Sequence, residues 1–575
     1  MPAALDIASF EILVNGTALG GQYGLLSIAT NSSVNKIPVA KIVLMDGDNA
    51  TQDFPHSNED IFAPGAEIQV NAGYGSDKQA IFHGIITKHG IKINNYENPS
   101  LELECRHKAV ILTGARKNKV YNDVKDADIF DELIGAASID KDIESTSVTH
   151  KEMVQYNCTD WDFIVTRAEL NGKWVLINQN KIEIKAPAGG SAETTFNFGL
   201  DTYEFEAEID ARDQFPAVKS KTWNYTNQEI TESEASEPSL ATQGDLDGST
   251  LSGVMEWEDY TVYHGGKIEE TENKAWADSR LLYSRLSKIQ GRIRVSGQHS
   301  YATGTLINFQ GFGNRFNGTT VITAVNHYFN NEMGWYCDLQ FGITKDLFAH
   351  RYDDVAEKPA SGLLPAVNGL QIGIVTAIHD DPDGESRVKV KLPLVDNEGE
   401  GIWARMTAPD AGDSHGWIFF PELNDEVVLG FLNDDPRNAI ILGKLYSSGI
   451  PPMIEATEDN NEKGIVTRSG MKLVFNDESP SVTIETPGGY SVVIDEAEGS
   501  IVAKDANNNT LTLSSDGITL ESGADITLKA TGDVKIEGVN VEISASAKFK
   551  GEGSAGSEVS SGGTTTIKGS MVQIN

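Results

Sequence analysis

His379 is followed within four residues by Asp380, Asp381 and Asp383, a set of nitrogen and oxygen donors that could hold a divalent cation. Pro382 and Gly384 lie inside the same run and mark a β-turn, so these acids are expected to hold a turn. Asp46-Gly47-Asp48-Asn49 has the alternating oxygens of a calcium loop but lacks its required glycine and its late glutamate. Glu422, Asp425 and Glu426 could pair as general acid and base. They precede the apolar run Val427-Val428-Leu429 and read instead as a solvated barrel loop. His83 and His89, six apart along a strand-like stretch, could share a face; without further donors nearby they read as structural histidines. Cys105, Cys158 and Cys337 lie far apart with no C-x-x-C spacing, which argues against a disulfide framework or a zinc site. No Walker A loop, G-x-S-x-G elbow or H-E-x-x-H helix occurs. The reading is of a chain with no catalytic, cofactor-binding or metal-binding residue.

The elements that carry these residues read more clearly. At 575 residues the chain has room for three or four domains, and 39% hydrophobic residues are enough to build cores. A formal net charge of -38 makes nucleic acid and anionic membranes poor partners. The N-terminus has no basic start followed by an apolar run, so no signal peptide is expected and assembly in a bacterial cytoplasm is. Residues 1 to about 225 alternate strand patterns with short helices. One helix follows Asp126, with Ile129, Phe130, Leu133 and Ile134 on one face. A second begins at Thr159, where Asp162 completes a capping box, and stops at Asn171-Gly172. A polar stretch, 226–254, reads as a flexible loop, and a helix is expected over 271–289 with Trp276, Leu282, Leu286 and Ile289. Residues 368–446 carry five or six short strands at the spacing of an OB-like barrel, and 447–464 reads as a linker.

The last hundred residues change character. From Leu511 apolar-x-apolar pairs recur: Leu511 with Leu513, Ile518 with Leu520, Ile526 with Leu528, Val534 with Ile536, and Val541 with Ile543. Their first members are 7, 8, 8 and 7 residues apart, with Gly517, Gly523, Gly532 and Gly538 between them. Such strands cannot bury one apolar face alone. Either one chain coils on itself, or three chains wrap into one prism, and periodicity does not choose.

Several stretches resemble the VgrG family of type VI secretion spikes and the related hub-and-spike proteins of phage tails and extracellular contractile injection particles. In the N-terminal part these are MDGDNATQDFPHSNEDIFAPGAEIQVNAGYG, QYNCTDWDFIVTRAELNGKWVLI and NHYFNNEMGWYCDLQFGI; in the barrel, FPELNDEVVLGFLNDDPRNAIILGKLY; at the end, TTTIKGSMVQIN. The resemblance implies a mainly β protein with some α: a hub of two barrel-like subdomains over 1–355, an OB fold over 368–446 and an intertwined trimeric β-prism over 465–575. The ten paired residues from Leu511 to Ile543 would form the prism core.

The family resemblance also implies partners: a homotrimer seated on a hexameric inner tube and baseplate proteins, effector cargo in some relatives, and a PAAR-like cap. The cap is expected on Ile567, Met571, Val572, Ile574 and Asn575, where the prism would end bluntly. Some relatives carry a hydrolase between barrel and prism; the segment here is too short for one. No histidine follows His415, so the His-x-His metal tip of some phage spikes is not expected. The function so implied is mechanical: a central spike, finally outside the cell, that pierces an envelope. The rivals are an adhesin-like trimeric fibre and a spike with hidden cell-wall hydrolase activity.

Overall fold

In the strand Ser100–Arg106 every second residue is apolar, and Leu101, Leu103 and Cys105 are fully buried while Glu102 and Glu104 lie between them. The computed structural model describes residues 7–94, 98–187 and 189–574. Repetition of that alternation builds a 13-stranded sheet in the N-terminal region. Its strands come from two stretches of sequence, joined where Gly318–Asn330 pairs antiparallel with Leu25–Ser33, Ala324 opposite Ser33. Each stretch has a core of its own, one around Ile42, Ile68 and Leu103, the other around Ile293, Phe309 and Leu339. The N-terminal region thus holds two cores on one continuous sheet. The 13-residue strand Gly318–Asn330 is long enough to serve both.

Between these stretches sits an α/β lobe. Helix α1 (Asp126–Ala136) buries Ile129, Phe130, Leu133 and Ile134, and α2 (Asp160–Leu170) packs into the same core beside Trp174–Asn178. The Thr159 hydroxyl accepts the Asp162 N–H at 3.1 Å, and Gly172, at φ +65°, follows the last turn. The polar stretch 226–254 is not an open loop: it contains the strand Glu229–Glu234 and the helix α3 (Gly248–Met255). The strand pairs with Val218–Asn224, and its acids look outward, Glu232 meeting Lys221 at 3.0 Å. What composition presents as a loop is the solvated face of a sheet. Its other face rests on α4 (Glu270–Leu286), where Val218 meets Ala277 and Leu281. The helix stops short of Ile289, which opens the next strand, Ile289–Ser296.

Buried charge ties α4 to the lobe. The Arg167 guanidinium donates to both Asp126 oxygens at 2.8 Å and to Glu272 at 2.9 Å, and His150 Nε2 lies 3.1 Å from Asp126. Burial alone would raise the Asp126 carboxyl, but its hydrogen bonds with His150 and Arg167 outweigh that and hold it well below the usual range.

Residues 369–431 and 437–575 form a second compact unit. Its first part is a closed five-stranded barrel, with Gln371–Ala377, Val388–Lys391, Ile402–Met406, Ala439–Lys444 and Glu426–Phe431 in order around it. Val375, Val390, Val427, Leu429 and Ile441 fill the interior. Its second part is a seven-stranded antiparallel meander that begins at Glu462, inside the segment read as a linker, and ends at Glu521.

Candidate functional site: the uncovered face of the C-terminal meander

The residues whose types suggested chemistry are occupied in holding loops. Asp381 accepts the Glu385 N–H at 3.0 Å and the Arg387 guanidinium at 2.6 Å. The hydrogen bond from Arg387 holds its carboxyl well below the usual carboxylate range, and Gly384 takes the left-handed turn position at φ +70°. Asp46 accepts N–H groups from Gly47, His56 and Ser57. Asp425 accepts the Glu422 N–H and the Lys444 ammonium, both at 2.9 Å. His89 donates from Nδ1 to the Phe62 carbonyl at 2.9 Å, while His83 lies 3.5 Å from Glu67. These two histidines do not share a face. A bulge between Ile86 and Lys88 inverts the alternation, so His83 stands beside Gln69 and His89 beside the core residue Leu103. Burial pushes the Cys105 and Cys337 thiols up to about 12, far from a reactive thiolate, and neither is in a disulfide.

The meander is different: its apolar residues are positioned but not covered. Its first six strands begin at 462, 472, 481, 491, 500 and 510, that is 10, 9, 10, 9 and 10 apart, five-residue strands joined by short turns. The register aligns most of its apolar residues into two rows on one face, with Val474, Val493 and Val502 on the other. One row runs Leu473, Ile484, Val492, Ala503, Leu511, Leu520, and the other Phe475, Val482, Ile494, Ile501, Leu513, Ile518. Residues between them in sequence, such as Thr483, Val493 and Thr512, point to the opposite face. A sheet with one wet side normally turns its small and polar residues outward. Here Phe475 is 44% exposed, Ile484 51% and Ile494 48%.

Among the described residues no strand follows Glu521, and residues 522–572 make no backbone-to-backbone hydrogen bond. Of the ten residues read as a prism core, Leu511 and Leu513 lie on Thr510–Ser514 and Ile518 and Leu520 on Gly517–Glu521. The other six, Ile526, Leu528, Val534, Ile536, Val541 and Ile543, lie in the unpaired tail. The expected core is one shared by three chains, and the single chain leaves all ten residues uncovered. Leu511, Leu513, Ile518 and Leu520 are exposed on the open sheet face, and Ile526, Leu528, Val534, Ile536, Val541 and Ile543 are exposed along the tail. The physical reason is the same for all ten: one chain supplies one layer, and a core needs a second layer to close it. Sequence reasoning missed the earlier members of the same series, Leu473 with Phe475, Val482 with Ile484, Val492 with Ile494 and Ile501 with Ala503. Their pair pattern was present, but at a spacing of nine or ten. Ile567, Met571, Val572 and Ile574 are exposed at the far end, and Asn575 lies outside the described residues.

Comparison with known proteins follows this division. Residues 4–331, over half of the chain, match the family model of the Alg8 N-terminal domain. Residues 371–446 match the type VI secretion system/phage-baseplate injector OB domain. The type VI secretion system spike protein VgrG1b of Pseudomonas aeruginosa is 23% identical over 430 residues, 69% of this chain and 56% of its own length. The chain thus spans about half the length of that relative. Among solved structures, the E. coli c3393 protein, described as a component of the type VI secretion system, is similar over 76% of this chain and 99% of its own, at 14% identity and a TM-score of 0.38. A Francisella PdpA-VgrG complex covers 89% of this chain and 80% of its own at 8% identity and a TM-score of 0.40. With an Alg8 N-terminal domain over residues 4–331 and an injector OB domain after it in sequence, the chain belongs to the Alg8 N-terminal domain family and is similar to VgrG spike proteins.

Proposed function

We propose that this chain forms the homotrimeric central spike of a contractile injection machine, acting mechanically and without catalysis. The observation that carries the reading is the two-row apolar face that no part of the described chain covers. It continues, with the same paired residues, into a tail whose backbone has no ladder of its own. Uncovered apolar rows and unpaired strand groups both cost free energy in water. Three copies facing one another would bury the rows and supply the missing ladders, producing a stiff needle without free edges. The hub would seat this needle on a hexameric inner tube and baseplate proteins. A small PAAR-like cap would cover Ile567, Met571, Val572, Ile574 and Asn575 of the three copies, and effector cargo could travel with them. The needle would leave the cell when the machine fires and pierce the target envelope.

Native mass spectrometry of the full chain is expected to give three copies, and Ile526→Asp with Leu528→Asp to destabilise that assembly by several kcal/mol per chain. A stable monomer with a folded C-terminal region would refute the trimer. Deleting 569–575 should abolish cap binding and leave the trimer intact.

A further inference from the structure

Where the α/β lobe meets the 13-stranded sheet, the N-terminal unit holds a cavity of about 570 Å³, a size that suits a small molecule. The strands Asp77–Lys92 and Gly318–Asn330 line it from the sheet. The turn Gln179-Asn180 lines it from the lobe, and the loop 299–303 completes it. These parts are tied to one another. Asn178 Nδ2 donates to the Thr303 carbonyl at 3.2 Å, the Thr303 hydroxyl donates to Asn178 Oδ1 at 3.0 Å, and the Ser32 hydroxyl donates to the Ile177 carbonyl at 3.2 Å.

The buried end of the cavity carries one polar group whose direction is fixed. His327 is 4% exposed, and its Nδ1 lies 3.0 Å from Cys337 Sγ. Burial pushes that thiol up to about 12, and its sulfur already accepts the Gln298 backbone N–H. The thiol hydrogen therefore goes to His327 Nδ1, and the neutral ring keeps its proton on Nε2. That Nε2–H has no hydrogen bond among the described residues and is not sealed off by protein atoms. Beside it, Tyr301 lines the cavity with a phenol that burial raises, so it stays an O–H. Phe82, Ile177 and Val325 supply the apolar surface between them.

The cations around the cavity are engaged. Lys181 lies 3.1 Å from Asp142 and 3.8 Å from Glu183, and His299 Nε2 lies 3.3 Å from Asp77. The exposed mouth carries Gln79, Gln179, Ser300 and Asp140, and among the described residues none of these side chains has a partner. What remains open is a set of amides, hydroxyls and one imidazole N–H, with a single carboxylate at the rim.

We infer that this cavity binds one neutral sugar ring, held at its buried end by His327 Nε2–H and the Tyr301 hydroxyl. A pyranose packs its C–H faces on Phe82 and Val325 and offers hydroxyls to each unpaired group. An anion would find no free cation and would face Asp140. An apolar ligand would leave His327 and Tyr301 desolvated and unpaired, at a cost for each. The site belongs to one chain, so it does not depend on the trimer or on the mechanical role.

Ligand-observed saturation-transfer NMR on the full chain tests this, with glucose, galactose and N-acetylglucosamine as neutral probes. Glucuronate and glucosamine are their charged counterparts. At least one neutral sugar should bind, and its charged counterpart should bind about tenfold more weakly or not at all. Ser300→Trp blocks the mouth from an exposed position and should lower the affinity about tenfold with thermal unfolding unchanged. His327→Phe keeps a ring beside Trp335 but removes the buried donor, and should cost as much. Failure of all three neutral sugars to bind overturns the inference, as does tighter binding of a charged counterpart. Undiminished binding by folded Ser300→Trp places the sugar elsewhere and overturns it too, and undiminished binding by folded His327→Phe removes the assigned donor. If His327→Phe does not fold, the Ser300→Trp result decides.

Discussion

The strand Ser100–Arg106 in the hub and the strand Ser491–Asp495 in the meander obey one rule and end in opposite states. In both, apolar side chains recur at every second residue. Leu101 and Leu103 are fully buried by the rest of their own sheet. Val492 and Ile494 stay 38% and 48% exposed, because among the described residues no second layer covers their sheet. The hub completes its cores internally and adds buried charge networks such as Asp126–Arg167–Glu272. The meander supplies half a core. Alternation says that a face will be buried; it does not say by whom.

The largest effect is expected on the meander. Ile494→Asp with Leu513→Asp places two charges on the apolar face, and should cost ~3 kcal/mol or more per chain if that face is covered in the assembly. Dissociation followed by mass photometry should show the loss. Val493→Asp with Thr512→Asp, on the same strands but the opposite face, should change little. Equal effects from the two pairs would mean that neither face is preferentially covered.

A pH titration probes the contrast from the other side, because buried histidines belong to the hub and none follows His415. Burial lowers His107 to about 4 and His327 to about 3. Both are neutral when folded and bind a proton more readily when unfolded. Their contribution is therefore intact above the ordinary histidine range near 6.5. It should fall as pH drops from there toward 4, by up to ~1.4 kcal/mol per pH unit for each. Glu169, raised by its burial, opposes part of this loss. Hydrogen exchange at pH 7 and pH 5 should show peptides around His107 and His327 opening at the lower pH, while peptides spanning 481–495 hold. Uniform behaviour would remove the histidines as the cause.

The smallest effect lies within the hub. Thr159→Ala removes the side chain that accepts the Asp162 N–H, and should cost about 1 kcal/mol in thermal unfolding with no change in assembly. A concentration-dependent loss would show that the hub is not self-contained.

Local rules carried much of this molecule's description. The cap at Thr159, the apolar face of α1, the turn at Pro382-Gly384 and the strand spacing of the five-stranded barrel are decided by residues a few positions apart. The sequence alone therefore determined them, and the paired apolar code of the tail with them. Partner choice is not local. Glu229–Glu234 is a strand because Val218–Asn224 lies beside it, which its polar composition conceals. His83 and His89 part company because one extra residue at the bulge inverts every later side chain. The sheet joins two distant stretches because Gly318–Asn330 happens to fit Leu25–Ser33. The same period-two code folds onto itself up to Glu521, and among the described residues no strand follows, which is why Ile536 and its neighbours read as core and are exposed in the single chain. Backbone geometry sets the period within a few residues, whereas the surface that covers a strand can come from anywhere, and only the tertiary structure decided where one chain's own supply of such surfaces runs out.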